Sequence, residues 1–135
     1  MSRLATSNGL AEGIRLFNQG NFFEAHEVWE QEWKIAEGAE KVFYQAIIQA
    51  AAALLHIQRG NYAGAVSVYL KSRAKLASLP DVWMGIELAQ FRSELRQYFA
   101  PFRDESRARG EKCQPAVPNQ IAGIARLPMI RWAPA

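Results

Sequence analysis

Apolar residues recur along most of this chain at intervals of three and four, the period of a helix that buries one face. The spacing predicts helices over roughly 8–18, 22–35, 39–58, 62–77 and 81–99, and no clean two-residue alternation suggests a strand before the tail. Gly20-Asn21, Gly38, Gly60-Asn61 and Pro80-Asp81 punctuate them. Glycine tolerates the left-handed cap, Asn and Asp accept N-cap hydrogen bonds, and proline stops a preceding turn. The third helix is apolar around nearly its whole circumference, the mark of a central element, and its alanine run permits a neighbour to pack closely.

A repeat is visible at a spacing of forty residues, where "FNQGNFFEAHEVWEQEW" aligns with "IQRGNYAGAVSVYLKSR". Each copy is a helix, a Gly-Asn turn, an aromatic residue, and a small residue four places after the Asn (Ala25, Ala65). The layout resembles the tetratricopeptide helical hairpin, in which a small residue lets antiparallel helices approach. Two hairpins make four helices, fewer repeats than a free-standing solenoid needs, and a fifth helix can close one side. The expected fold is therefore all-α, a compact bundle of about five helices built from two helical hairpins over residues 1–100.

From Pro101 onward the composition shifts to proline, arginine and short apolar clusters. Pro115, Pro118, Pro128 and Pro134 break any helical pattern, so residues 101–135 read as an extended C-terminal arm. Ile121, Ile124, Leu127, Met129, Ile130 and Trp132 suggest that the arm packs on something, either its own body or a second subunit of a homo-oligomer.

Polar residues within the apolar pattern are the candidate chemistry. On a wheel counted from Phe22, the apolar members of "NFFEAHEVWEQEW" fill one arc, and His26 at about 40° and Glu30 at about 80° fall inside it, with Glu27 at the margin. In the third helix Gln45, Gln49 and His56 form one polar stripe that an antiparallel second helix could face. Three readings follow. His26 and Glu30, one turn apart, can satisfy each other and nearby Trp or Gln groups as a buried network. They can share a divalent metal ion such as zinc, with His56 as a second imidazole, although His-Glu-x-x-Glu lacks the second histidine of the zinc-protease motif. They can also line a polar pocket for a small ligand or for acid-base work. Trp29 and Trp33 read as core, and no nucleophile motif or phosphate loop names a reaction.

Composition narrows the classes. Residues 1–100 hold ten Lys/Arg and ten Asp/Glu, so the net charge of +3 arises in the tail, which holds six and three. That is too dilute for a nucleic-acid footprint, and Lys71, Arg73 and Lys75 read as a solvated helix face. Arg103, Arg107, Arg109 and Lys112 would carry any acidic partner. The longest uncharged run, 42–57, is shorter than the ~20 residues that span a bilayer. Cys113 alone excludes an internal disulfide, and no secretory pattern precedes the first helix, so the expectation is a cytoplasmic chain.

Two segments taken together, "GNFFEAHEVWEQEW" and "FYQAIIQAAAALLHIQRGNYAGAV", resemble the domain-of-unknown-function family 309 over nearly half the chain. The resemblance implies a compact helical bundle, and members carry a metal-dependent hydrolase label taken from their His/Glu motif. Residue by residue it falls on His26, Glu27, Glu30 and Trp33, with Gln49, His56 and Asn61 from the second segment. The function expected is thus a cytosolic helical module with a polar cluster for binding a small ligand or a protein partner; the alternative is hydrolysis at a metal held by His26, Glu30 and His56.

Overall fold

The computed structural model describes residues 2–109 and 126–134, with side chains from 9 to 103 and from 126 to 134. Five helices account for the architecture: α1 (Ser2–Asn18), α2 (Phe22–Ile35), α3 (Gly38–Gln58), α4 (Tyr62–Leu76) and α5 (Leu88–Arg109). The first four pack in chain order, α1 on α2, α2 on α3 and α3 on α4. Turns of a few residues join them, which makes each pair antiparallel.

The forty-residue repeat is real in the backbone. At the first turn the Gly20 amide donates to Phe17 O at 2.9 Å and the Asn21 amide to Leu16 O at 2.9 Å. At the second, Gly60 donates to Ile57 O at 3.0 Å and Asn61 to His56 O at 2.9 Å. These paired bonds end a helix through a left-handed residue, and Gly20 and Gly60 supply it with φ of 84° and 79°. In the second copy the Asn61 side chain also accepts from the Gly64 amide at 3.1 Å, capping α4. The small residues do their expected work too, since Ala25 and Ala65 are wholly buried.

Helix α5 closes the bundle through aromatic contacts. Phe91 meets Phe17 of α1 edge to face at 5.7 Å between centroids. Phe99 stacks on Tyr69 of α4 at 4.5 Å, and Phe102 on Tyr62 at 5.7 Å. These large rings supply much of the apolar burial that holds the layers together. The all-α bundle of helical hairpins is thus the observed fold.

Two local readings change. The fifth helix starts at Leu88, not near Asp81, because Val82–Trp83 (β1) and Ile86–Glu87 (β2) form an antiparallel hairpin with Trp83 opposite Ile86. Two strand residues on each side of Met84-Gly85, three of the four apolar, are enough for this, with φ of 52° and 80° at the turn residues. At the other end α5 runs through Pro101 to Arg109, although proline cannot donate to the carbonyl one turn before it.

Residues 126–134 are extended and lie against the chain's own body. Trp132 bridges Ile86, the Glu87 amide donates to Arg131 O at 2.9 Å, and the Ala133 amide donates to Gly85 O at 2.7 Å. Asn18, at the end of α1, holds Ile130 from both sides: its Oδ1 accepts from the Ile130 amide at 2.9 Å and its Nδ2 donates to the Ile130 carbonyl at 2.8 Å. Ile130 is buried as a result. Cys113, Lys112, Pro115, Pro118, Ile121 and Ile124 lie outside the described residues, as do the side chains of Arg107 and Arg109. Among the described residues no helix is long and apolar enough to cross a membrane.

Candidate functional site

How α2 is rotated decides the site. Its buried residues are Phe22, Ala25, Trp29 and Glu32, whereas Phe23 is half exposed. The buried face is therefore turned from the wheel's apolar arc toward Glu32, and the carboxylate that α2 buries is Glu32 at 8% exposure. The cause lies in α1, where Gly9 and Gly13 stand one turn apart. A β-carbon on Gly9 would collide with the Glu32 carboxylate, and one on Gly13 with the Trp29 indole. Without side chains there, α1 lies directly on Glu32 and Trp29, and Trp29 Nε1 donates to Leu10 O at 3.3 Å.

The same rotation brings His26 and Glu30 to the rim of the interior, not into it. The His26 side chain is 25% exposed, Glu30 43% and Glu27 55%. The imidazole lies between the two acids, with Nε2 3.4 Å from Glu30 Oε2 and Nδ1 3.8 Å from Glu27 Oε2. One donor atom from each of the three can be chosen so that all lie within 4.8 Å of one another.

His26 and Glu30 line a cleft of about 350 Å³ between three helices. Trp33 completes the α2 wall, Gln45, Ile48, Gln49 and Ala52 form the α3 wall, and Val68 and Lys71 close it from α4. Three side-chain atoms on this lining are buried without a hydrogen-bond partner among the described residues: His26 Nδ1, Trp33 Nε1 and Gln49 Oε1. At its edge Lys41 Nζ donates to the Trp33 carbonyl at 3.2 Å and stands 4.3 Å from the centre of the Trp33 ring, a cation–π contact.

Of the residues singled out from the sequence, the fold brings His26, Glu30, Trp33 and Gln49 to one cleft, with Glu27 beside His26. His56 and Asn61 sit elsewhere, at the turn between α3 and α4, where Asn61 Nδ2 and His56 Nδ1 are 3.1 Å apart. Among the described residues His56 joins no cluster of possible metal ligands. Lys71 is the residue missed. It was assigned to a solvated face, but it follows Val68 by three positions and so shares the side of α4 that Val68 turns to the cleft.

Most of the region that builds this cleft from α2, α3 and α4 resembles a known family. Residues 10–68 match DUF309, a domain of unknown function. The DUF309 segment covers α2 and α3 whole and ends at Val68, so it contains every cleft residue except Lys71. An uncharacterized protein of Aquifex aeolicus (strain VF5) is 33% identical over 89 residues, which are 65% of this chain. They amount to only 27% of that relative's own length.

Proposed function

We propose that the cleft between α2, α3 and α4 binds a small polar molecule in the cytosol. One observation carries the reading: three buried polar atoms on one lining have no hydrogen-bond partner among the described residues. Buried polar groups are ordinarily satisfied, and each that is not costs about 1–3 kcal/mol. A ligand that accepts from Trp33 Nε1, donates to Gln49 Oε1 and pairs with whichever form His26 Nδ1 presents would recover that cost. Glu30 and Lys71 supply opposite charges on facing walls, which suits a molecule bearing both an amino and an acidic group. A volume of about 350 Å³ falls at the small end of the roughly 300–1,000 Å³ common for ligand sites. A library of small zwitterionic and polyhydroxyl compounds, screened by thermal shift, tests the reading. A compound that stabilises the native protein but not Gln49→Leu or Lys71→Ala supports it. If every stabilising compound acts equally on both variants, the cleft is not the site.

The clustering of His26, Glu27 and Glu30 favours a second reading, a divalent ion held by one imidazole and two carboxylates. Three protein donors with a position left for water are the pattern of an open metal site, here with one imidazole fewer than the usual His2Glu set of zinc. The separation of Nε2 from Glu30 suits it, because ligands about 2.0–2.2 Å from an ion lie a little over 3 Å apart. A bound ion would supply Lewis acidity for hydrolysis, and Gln49 and Lys71 would then position the substrate. Elemental analysis of untagged protein separates the two readings. Stoichiometric zinc released by Glu30→Gln without unfolding supports the ion; protein free of metal after purification from zinc-supplemented medium removes it.

A further inference from the structure

A second cleft lies on the other side of α4, and its chemistry is different. Tyr69, Arg73, Leu76 and Ala77 of α4 and its C-terminal end form one wall, and Arg92, Leu95 and Arg96 of α5 form the other, around about 170 Å³. Arg92 is committed to structure: its Nη1 donates to the carbonyls of Leu76 and Leu79, each at 3.2 Å, and its Nη2 pairs with Asp81. It lines the cleft with its charge paired to Asp81.

Arg73 and Arg96 form no ion pair among the described residues. Helix α4 contains no acidic residue, and among the described residues no carboxylate lies within ion-pair distance of Arg73, Arg96 or the nearby Arg103. The Tyr69 side chain lines the same cleft, its ring stacked face to face on Phe99. Burial pushes the Tyr69 hydroxyl's pKa up, against the pull of Arg73, Arg103 and Arg96, so it stays protonated at neutral pH and can donate. The charges of Arg73, Arg96 and Arg103 act on it, and planar guanidinium forks suit the oxygens of phosphate.

We infer that the α4–α5 cleft binds the phosphate group of a small phosphate monoester, with Arg73 and Arg96 pairing its oxygens, the Tyr69 hydroxyl donating a third bond, and Leu76, Ala77 and Leu95 covering the ester's apolar side. Phosphate is favoured over carboxylate by charge, since a monoester carries about −1.5 to −2 at neutral pH and matches the two positive charges of Arg73 and Arg96. The cleft's size restricts the ligand. At about 170 Å³ it is below the roughly 300 Å³ of a site that encloses a drug-sized molecule, so it holds the head group and a short substituent. This site shares no lining residue with the cleft of the DUF309 segment and stands independently of what that cleft does.

Isothermal titration calorimetry with inorganic phosphate and with phenyl phosphate, at constant ionic strength set with sodium chloride, tests the assignment. Saturable one-to-one binding is expected, tighter for phenyl phosphate. Arg73→Gln and Arg96→Gln should each weaken it about tenfold, consistent with loss of one charged hydrogen-bond partner. Tyr69→Phe should weaken it less, and Arg59→Gln, far from the cleft, should leave it unchanged. Both arginines are at the surface, and circular dichroism melts establish that the variants fold. Three outcomes overturn the assignment: no saturation by about 10 mM ligand, equal affinity in the Arg73→Gln/Arg96→Gln protein, or binding to phosphatidic acid vesicles without binding to either soluble phosphate.

Discussion

Gly13 lies against the indole of Trp29 so closely that no β-carbon fits between them. Trp29 is fully buried and anchored through its ring nitrogen to Leu10, so it cannot withdraw without uncoupling α1 from α2. Replacing Gly13 with alanine gains helix propensity of about 1 kcal/mol. Overpacking a rigid core typically costs about 1–3 kcal/mol, and a collision with a fixed indole belongs at or above the upper end. Urea denaturation should therefore show a net loss of about 2 kcal/mol for Gly13→Ala. Gly9→Ala should lose less, because the Glu32 carboxylate can swing aside more readily than an indole.

Asn18 is predicted to hold the C-terminal segment in place. Its two hydrogen bonds to Ile130 are partly buried, and Asn18→Ala leaves the amide and carbonyl of Ile130 without them. At about 1 kcal/mol per bond the expected destabilisation is about 2 kcal/mol. Hydrogen exchange gives the sharper reading: the amides of Ile130 and Ala133 should exchange faster while those of α3 keep their protection. Uniform acceleration throughout the bundle would contradict this localised role.

Glu94 should give the protein a specific acid sensitivity. Burial raises its pKa, but hydrogen bonds from Gln90, the Met129 amide and Arg131, with the charge of Arg131, outweigh burial and place it below the ordinary value of 4.5. A carboxylate with a depressed folded pKa contributes stability that is complete above its unfolded pKa and is lost as pH falls through the folded value. The difference in unfolding free energy between native protein and Glu94→Gln should accordingly be constant at neutral pH and shrink below about pH 4.5. A difference that grows on acidification would reverse the sign and refute the assignment.

Gln49→Leu offers a test in which losing a polar group helps the fold. Its carbonyl is buried at the cleft without a hydrogen-bond partner among the described residues, so an apolar side chain of similar size should raise stability by about 1 kcal/mol, seen as a higher melting temperature. A Gln49→Leu protein that melts lower would mean that the amide is satisfied in solution, by water or otherwise.

The helical body was legible because period and punctuation agree: the Gly-Asn turns stop α1 and α3 and start α2 and α4 with the same hydrogen bonds. The β1–β2 hairpin was not, since four strand residues are too few to show alternation, and its pairing is completed by Trp132, distant in sequence. The candidate site was legible in membership more than in setting. His26, Glu30, Trp33 and Gln49 do share a cleft. A wheel, however, scores apolar residues alike and cannot see that two glycines on a neighbouring helix draw Glu32 inward and leave Phe23 out. His56 was read toward the second helix, but its nearest polar group, Asn61, lies just around the turn. Lys71 was hidden because position on α4 alone does not reveal which of its sides faces α2 and α3.

Trp33 forms part of the cleft wall, lies beneath the ammonium of Lys41 and has a ring N–H with no acceptor among the described residues. Indole emission responds to just such changes in nearby charge and hydrogen bonding. The pocket thus contains an intrinsic optical probe: a molecule that enters it should shift the protein's own fluorescence, and no label is required to watch it arrive.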